Sequence, residues 1–399
     1  MHDAASSSPK PPSSLHTETQ VLQTERTPYG EVSPAIFMTS GFAYDSAEQA
    51  EATFTGDVER YQYTRYSNPT LKALEERLAA VEGAEMCTCT ASGMGAVSSA
   101  LLAHVKAGER VVASRALFGS CYWIVSTLLP RYGIESIFVD GDNLEQWEQA
   151  LSQPTAAVLL ETPSNPRLDI LDIKAISQLA HKAGAIVIMD NAFAPLIQKP
   201  LKLGADVVVY STTKHMDGHG QTIGGAVLAS KTWTEETLLP YTRNTGTTLS
   251  PFNAWAILKG METLTLRLKA MTDNAQFITE LLLNSPQIER VFYPGHPSHP
   301  QYDLAKSQME NGGTMVAFEV KGGKKSAFAF MNALKVILIS NNLGDTRSLI
   351  THPATTTHMK IGAEERGHLG ITDSLLRLSV GTEHREDLKA DILNAFLAL

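Results

Sequence analysis

Two apolar runs in this 399-residue chain end in groups able to do chemistry. Ala185-Ile-Val-Ile-Met-Asp190 finishes in a carboxylate, and Asp206-Val-Val-Val-Tyr-Ser-Thr-Thr-Lys214 finishes in hydroxyls and an amine. In an open α/β sheet ligands collect beyond the carboxyl ends of the strands, so both tips are expected in one crevice. A lysine and an aspartate delivered this way are the pair that pyridoxal phosphate requires. The amine forms an imine with the aldehyde, and the ionised carboxylate keeps the pyridine nitrogen protonated so that the ring absorbs electrons. A structural Asp–Lys ion pair fits the same two strand ends, so the pair alone leaves both readings open.

A phosphate needs donors. Thr90-Ala-Ser-Gly-Met-Gly-Ala96 follows a strand-like run and opens a helix, leaving backbone N–H groups for an anion. Ser211 and Thr213 add hydroxyls from the lysine segment. Gly93 and Gly95 also match the start of a dinucleotide fingerprint, but Ser98 holds the third glycine position and no acid follows about 20 residues on at a strand end. His215 and His219 have a spacing that suits a metal on a helix, yet they flank Asp217-Gly218, a turn signal, with no third ligand. No metal is expected, and His352 and His358, beside the Thr-rich segment 353–357, are given no catalytic role.

The elements that must position these groups alternate between helix and strand from Asn68 to Ser230. Asn68-Pro69 reads as an N-cap followed by proline at the first helical position, and Leu71, Leu74, Leu78 and Val81 continue a helix to Gly83. A strand is expected within 84–91, then a helix to Gly108, and short buried strands at 110–114, 135–140, 156–161, 185–190 and 206–211. Amphipathic segments at 144–151 and 173–183 lie between them, which implies a mostly parallel sheet covered on both faces. From Ser250 the pattern changes to one long helix over 251–283, then strands at 315–320, 336–339 and 375–380 in a second, smaller α/β domain.

Composition narrows the function classes. With 43% hydrophobic and 19% charged residues the chain can bury a sizeable core. Lys plus Arg is 33 against 42 Asp plus Glu, a formal charge of −9, which disfavours nucleic acid or anionic lipid as partners. Three cysteines make no disulfide framework; Cys87 and Cys89 sit two apart on a strand, facing one side as small core residues, and Cys121 lies alone. No apolar run approaches the ~18 residues of a membrane span. Residues 1–15 are rich in Ser and Pro without the apolar core of a secretory signal, so a disordered tail on a reducing, cytoplasmic protein is expected.

Assembled in order, the motifs carry a family resemblance. Tyr61-Gln-Tyr-Thr-Arg-Tyr-Ser-Asn-Pro-Thr70 resembles the YxRxxNPT motif of the Cys/Met-metabolism pyridoxal phosphate enzymes. Ala91-Ser-Gly-Met94, Glu161-Thr-Pro-Ser-Asn-Pro166, Asp190-Asn191, Ser211-Thr-Thr-Lys-His215, Gly218-His219, Ser348-Leu-Ile-Thr-His-Pro353 and Arg377-Leu-Ser-Val-Gly381 extend it from about Thr19 to the C-terminus. The resemblance implies an aminotransferase-like, fold type I chain. Its parts are a tail (1–17), an N-terminal arm reaching a neighbouring subunit (18–60), a large cofactor domain (61–250) and a connecting helix with the C-terminal domain (251–399).

It also implies roles. Lys214 would carry the cofactor imine and shuttle protons, and Asp190 would pair with the pyridinium nitrogen. The Gly93 and Met94 amides, with Ser211 and Thr213, would hold the phosphate. Phe118 would stack on the ring, Asn165 would contact the ring oxygen and the substrate, Asn342 would face the substrate, and Arg377 would clamp its α-carboxylate. Tyr63 and Arg65 would reach the neighbouring subunit's phosphate, so a dimer of active units, joined into a tetramer, is implied. Without the resemblance, Arg65 and Arg377 read as solvent-facing or ion-paired arginines.

Members of the family differ in the fate of the β or γ carbon. Phe118 replaces the stacking tyrosine usual in the lyases, and Ser120 stands where methionine γ-lyases carry cysteine. Asn341-Asn-Leu-Gly-Asp-Thr-Arg-Ser-Leu-Ile350, with Leu117-Phe-Gly-Ser120, resembles the bacterial O-succinylhomoserine sulfhydrylases, and the insertion common in O-acetylhomoserine enzymes is missing. The implied reaction is γ-replacement of succinate by sulfide to give homocysteine. Cystathionine γ-synthase and the γ-lyases are the alternatives. A nicotinamide oxidoreductase rests only on the incomplete glycine pattern, and a non-catalytic scaffold has no use for the Lys214–Asp190 pair with its phosphate donors.

Overall fold

In the computed structural model, which describes residues 15–24 and 26–399, the apolar-rich runs become strands of one seven-stranded sheet. These are β1 (Met86–Thr90), β2 (Arg110–Ser114), β3 (Glu135–Val139), β4 (Ala157–Glu161), β5 (Ile186–Asp190), β6 (Val207–Tyr210) and β7 (Gly225–Ala229), in the order β1-β7-β6-β5-β4-β2-β3. The run β3-β2-β4-β5-β6 is parallel, and β7 lies antiparallel between β6 and β1. Successive side chains face opposite layers. Val111, Ala113, Leu159, Ile188 and Val209 meet the helix Gly93–His104 on one face, while Val112, Val158, Leu160, Val187 and Met189 meet Ile173–Lys182 on the other. That double burial is why these strands carry no alternation of polarity.

The helix Pro69–Glu82 starts and stops as its sequence predicts. The Asn68 side chain accepts the Thr70 N–H at 2.8 Å, and Gly83 ends the helix at φ 83°. Leu71, Leu74, Leu78 and Val81 bury one face together with Cys87 and Cys89 of β1. All three cysteines are free and buried.

A second sheet of five strands follows: β8 (Ile288–Phe292), β9 (Met315–Val320), β10 (Leu338–Ile339), β11 (Leu349–Thr351) and β12 (Leu375–Ser379), ordered β10-β11-β12-β9-β8. Only β10 and β11 pair in parallel; the other pairs are antiparallel. One face, with Leu376 and Leu378, packs on the helices Leu264–Leu283, Gly323–Ala333 and Arg385–Phe396. The other, with Leu375 and Ala317, packs against Leu168 and Phe193 of the larger unit. Arg377 alternates onto this second face, between the two sheets.

Three features depart from the sequence reading. β7 was not anticipated because Gly225-Ala-Val-Leu-Ala229 has no aromatic and only one β-branched residue, Val227. A Cβ at Gly225 would stand 2.2 Å from the Ser92 carbonyl, so tight packing selects the small residue. The single helix over 251–283 is two helices, Pro251–Met261 and Leu264–Leu283; at the break the Gly260 carbonyl takes the buried Arg267 guanidinium at 2.7 Å and the Thr263 N–H at 3.3 Å. β8 and β11 were also missed, one interrupted by a bulge between Ile288 and Arg290, the other only three residues long. Of the tail expected over 1–17, residues 1–14 lie outside the described residues, and Thr17–Gln20 form a short helix.

Candidate active site

Asp190 is the last residue of β5, paired beside Val209 of β6, and Lys214 stands in the turn just beyond β6. That turn is closed by the Lys214 N–H on the Ser211 carbonyl at 3.2 Å and the Gly218 N–H on the Lys214 carbonyl at 2.8 Å. Parallel pairing thus brings the two chemical strand ends to one edge. One oxygen of Asp190 accepts the Ala192 N–H at 3.0 Å. Burial pushes the Asp190 carboxyl up to about 6, against the pull of that N–H and of the Lys214 charge. The same burial, with the Arg377 charge, brings the Lys214 amine down to about 8, and Asp190 opposes it.

The second sheet closes the site. Arg377 is fully enclosed: Nη1 donates to Asn165 Oδ1 at 2.9 Å, and Nη2 donates to the carbonyls of Asn341 at 3.0 Å and Asn342 at 3.3 Å. The Lys214 amine donates to Asn342 Oδ1 at 2.5 Å. A solvent-facing Arg377 is therefore excluded; it is a buried cation set beside a partly buried amine. Burial lowers it to about 10, and Glu161 holds it up.

Glu161 was quoted within a motif but given no role by the sequence reading. It ends β4 in register with Asp190, lies buried, and accepts the Phe118 N–H at 2.6 Å. Burial and the neighbouring Asp190 charge raise its carboxyl well above the ordinary range. The signal existed, since 156–161 is an apolar run ending in a carboxylate, the same pattern that marked Asp190.

The candidate phosphate donors meet where the helix start touches the lysine segment. Ser92 caps the helix Gly93–His104 by accepting the Gly95 N–H at 3.0 Å, and Gly93 and Met94 carry first-turn N–H groups with no intrahelical acceptor. A Cβ on Gly93 would lie 2.7 Å from the Ser211 Cβ, so the helix start rests directly on the lysine segment. Thr213 is engaged locally, its hydroxyl donating to the Gly224 carbonyl at 3.2 Å and accepting the Gly224 N–H at 3.0 Å. This donor set fits pyridoxal phosphate: a helix start and a serine for the phosphate, an amine for the aldehyde, and a buried carboxylate for the ring nitrogen.

The Thr-rich segment covers this edge. A Cβ on Gly119 would meet the Thr357 carbonyl at 3.0 Å, and His358 Nε2 lies 3.1 Å from the Asn165 carbonyl. Burial pulls His358 down to about 4 and His215 to about 3, so both rings are neutral; His215 Nε2 bonds the Thr314 hydroxyl at 2.7 Å. His219 bonds the Asp217 carbonyl at 2.6 Å, and His352 bonds Thr355 and the Asp373 carbonyl. Among the described residues no cluster of three His, Cys, Asp or Glu is disposed to hold a metal.

Tyr63 and Arg65 are not brought to Lys214 within the chain. Tyr63 is 45% exposed, and Arg65 stacks over the Tyr66 ring at 4.8 Å and donates to the Arg243 carbonyl. Arg65 instead lines a separate open cleft of about 1280 Å³ with Thr64, Tyr66, Arg243 and Thr248.

Residues 17–397 match the sequence model of the family described as Cys/Met metabolism PLP-dependent enzyme. The chain is 50% identical over 372 residues to an O-succinylhomoserine sulfhydrylase of Mycobacterium tuberculosis, covering 92% of each chain. It is 44% identical over 367 residues to an L-methionine gamma-lyase of Fusobacterium nucleatum, covering 91% of this chain and 93% of that one. Its structure matches a cystathionine gamma synthase of Xanthomonas oryzae with a TM-score of 0.92 and 36% identity, covering 96% of this chain and 100% of that chain.

Proposed function

This chain belongs to the Cys/Met-metabolism family of pyridoxal-phosphate-dependent enzymes, of fold type I, and from that premise we propose that it exchanges succinate for sulfide on O-succinyl-L-homoserine. The products are L-homocysteine, for methionine synthesis, and succinate. The observation that carries this reading is the buried Arg377 set against the Lys214 amine through Asn342, a carboxylate receptor beside a base.

Pyridoxal phosphate, when bound, supplies an aldehyde for amines and a ring that withdraws electrons from the substrate's α-carbon. Arg377, held flat by Asn165 and two carbonyls, takes the α-carboxylate in a fork. Lys214, an amine near about 8, removes the Cα proton and returns it at the end. Once the Cα and Cβ protons have left, succinate departs from Cγ with its bonding electrons, hydrosulfide adds there, and protons return to Cβ and Cα. Asp190 would carry the negative charge facing the ring nitrogen's proton, Gly93, Met94 and Ser211 would hold the phosphate, with Thr213 joining them by turning its hydroxyl from the Gly224 carbonyl, and Phe118 would offer a stacking face.

Tyr63 and Arg65 serve a second copy of the chain, which gives a homo-oligomer of paired sites, a tetramer in its full form. The exposure of the Tyr63 ring and the open cleft that Arg65 lines support this. The enzyme works in the cytoplasm, in keeping with three unpaired buried thiols.

The test is competition. Purified enzyme receives O-succinylhomoserine with equal sulfide and cysteine, and products are identified by mass spectrometry. Mostly homocysteine is expected; mostly cystathionine overturns the assignment in favour of a γ-synthase, the reading favoured by the cystathionine gamma synthase likeness. Lys214→Ala should abolish turnover while circular dichroism stays that of the parent, and near-normal turnover would exclude Lys214 as the base.

A further inference from the structure

We propose that Glu82, Tyr210 and Asn191 form a buried hydrogen-bond relay that fixes the turn holding Asp190, and so aims that carboxylate at the ring nitrogen of the cofactor. They act through Asp190 and are positioning residues. The inference rests on the proposed function only in needing pyridoxal phosphate; it is independent of substrate, acyl group and sulfur nucleophile.

One oxygen of Asp190 accepts the Ala192 N–H at 3.0 Å, so the place of Ala192 sets the direction of the carboxylate. Asn191 shapes that turn. Its backbone N–H donates to the Val209 carbonyl of β6 at 3.1 Å, and its carbonyl accepts the Ala194 N–H at 3.2 Å. Its side-chain Nδ2 lies 3.3 Å from the Ala194 carbonyl, 3.1 Å from the Gln198 carbonyl and 2.7 Å from the Tyr210 hydroxyl. Its Oδ1 accepts Gln198 Nε2 at 3.2 Å. Further along the same turn Leu196 holds φ 63°, a left-handed conformation that a leucine keeps only where its surroundings enforce it.

The direction of each bond follows from what the atoms can do. Two neighbours of Nδ2 are backbone carbonyls, which only accept, so this end of Asn191 is the NH2. Its two hydrogens serve three acceptors, and the shortest contact is to Tyr210. The Tyr210 oxygen therefore accepts, and its own proton goes to Glu82 Oε2 at 2.6 Å. The other oxygen, Oε1, is buried without a hydrogen-bond partner among the described residues. Burial raises this acid to about 7, and the Lys199 charge opposes the rise. A proton taken up there rests on Oε1 and leaves Oε2 free to accept, so the relay keeps its direction in both states. Tyr210 ends β6, and Asn191 follows the last residue of β5. The relay thus ties the two strand ends that carry Lys214 and Asp190 to the end of the helix Pro69–Glu82. All three side chains are buried, so a lost partner leaves a polar atom without solvent to replace it.

Three variants of the full-length chain separate aiming from packing. Tyr210→Phe and Glu82→Leu break the relay, whereas Glu82→Gln keeps an oxygen that accepts. Each is loaded with pyridoxal phosphate carrying heavy nitrogen in its ring, and solid-state NMR reads whether that nitrogen is protonated. Absorbance titration of the stripped chain gives cofactor affinity, and hydrogen exchange of residues 190–198 in the stripped chain reads the turn. Tyr210→Phe and Glu82→Leu are expected to shift the nitrogen signal toward the unprotonated form, to weaken cofactor binding about threefold to tenfold and to speed exchange. Glu82→Gln should stay close to the parent. Phe330→Leu, packed on the face of the second sheet turned away from the larger unit, loses stability and should leave the nitrogen signal and the turn's exchange parental. A parental signal and affinity in Tyr210→Phe, equal behaviour of Glu82→Gln and Glu82→Leu, or the same changes in Phe330→Leu would overturn the proposal. The Glu82 pair decides the question even where Tyr210→Phe fails to fold. Turnover is not measured, so an enzyme that ignores O-succinylhomoserine would sink the proposed reaction and leave this inference standing.

Discussion

Asp190, Glu161, Lys214 and Arg377 show what one buried setting does to residues of opposite sign. Burial raises the two acids and lowers the two bases, and each group's opposite neighbours pull part of the way back. The result is a lysine close to neutral pH, as a proton shuttle needs. Gly93 is the residue on which the phosphate side turns. Because its Cβ would fall 2.7 Å from the Ser211 Cβ, Gly93→Ala must push the helix start off the lysine segment. The expected loss is about 1–3 kcal/mol of stability by urea unfolding, with at least a severalfold weaker hold on pyridoxal phosphate by absorbance titration.

Among the elements, the helix Pro69–Glu82 is tied to the chain before it by Asn68, Thr70 and Arg77. Asn68 accepts the Thr70 N–H, and its amide donates to the Phe37 carbonyl at 2.9 Å and to the Thr64 hydroxyl at 3.1 Å. It therefore caps the helix and also fixes the turn that carries Tyr63 and Arg65. Asn68→Ala should cost about 1–2 kcal/mol from the cap alone, and the lost donor bonds add to it; the measure is a lowered denaturation midpoint with an unchanged slope. The second sheet plays the complementary part. β12 places Arg377 by strand alternation alone, whereas the loop before β11 needs Gly344 in a left-handed conformation against His215 to bring Asn342 to the amine.

At the scale of the whole molecule, buried titrating groups set the response to pH. His215 and His358 are held neutral to about 3 and about 4, while in the unfolded chain they take a proton near 6.5. Between those values the unfolded state binds more protons, so the stability they contribute is full above 6.5 and is lost as pH falls toward 4 and below. Glu75 and Glu82 act in the other direction. Burial raises both from 4.5 to about 7, so the native state keeps protons that the unfolded chain releases, and their contribution is lost as pH rises through that range. His358→Gln removes one term of the first kind, and its urea midpoint should fall less than the parent's between pH 6.5 and 4.5. Assembly belongs to this scale as well: Arg65→Ala and Tyr63→Phe should release cofactor on dialysis faster than the parent. Retention equal to the parent's in both would end the picture of a site shared between subunits.

What the sequence determined by itself follows from local rules. The strand end at Asp190 with Lys214 just beyond β6, the cap at Asn68-Pro69 with its stop at Gly83, and the doubly buried parallel strands are written in runs of a few residues, and each stands where it was expected. Motif order supplied Asn165, Arg377 and Asn342, which periodicity could not have found. Tertiary structure decided the rest, because the deciding contacts join residues far apart in the chain. Position 225 is glycine because Ser92 leaves no room for a side chain, the Gly260 carbonyl takes the Arg267 guanidinium where the helix breaks after Met261, and Glu161 gains its character from burial and from pairing beside Asp190. The amine of Lys214 finds its partner 128 residues away, in the second sheet, and no local pattern records a hydrogen bond that folding alone brings within reach.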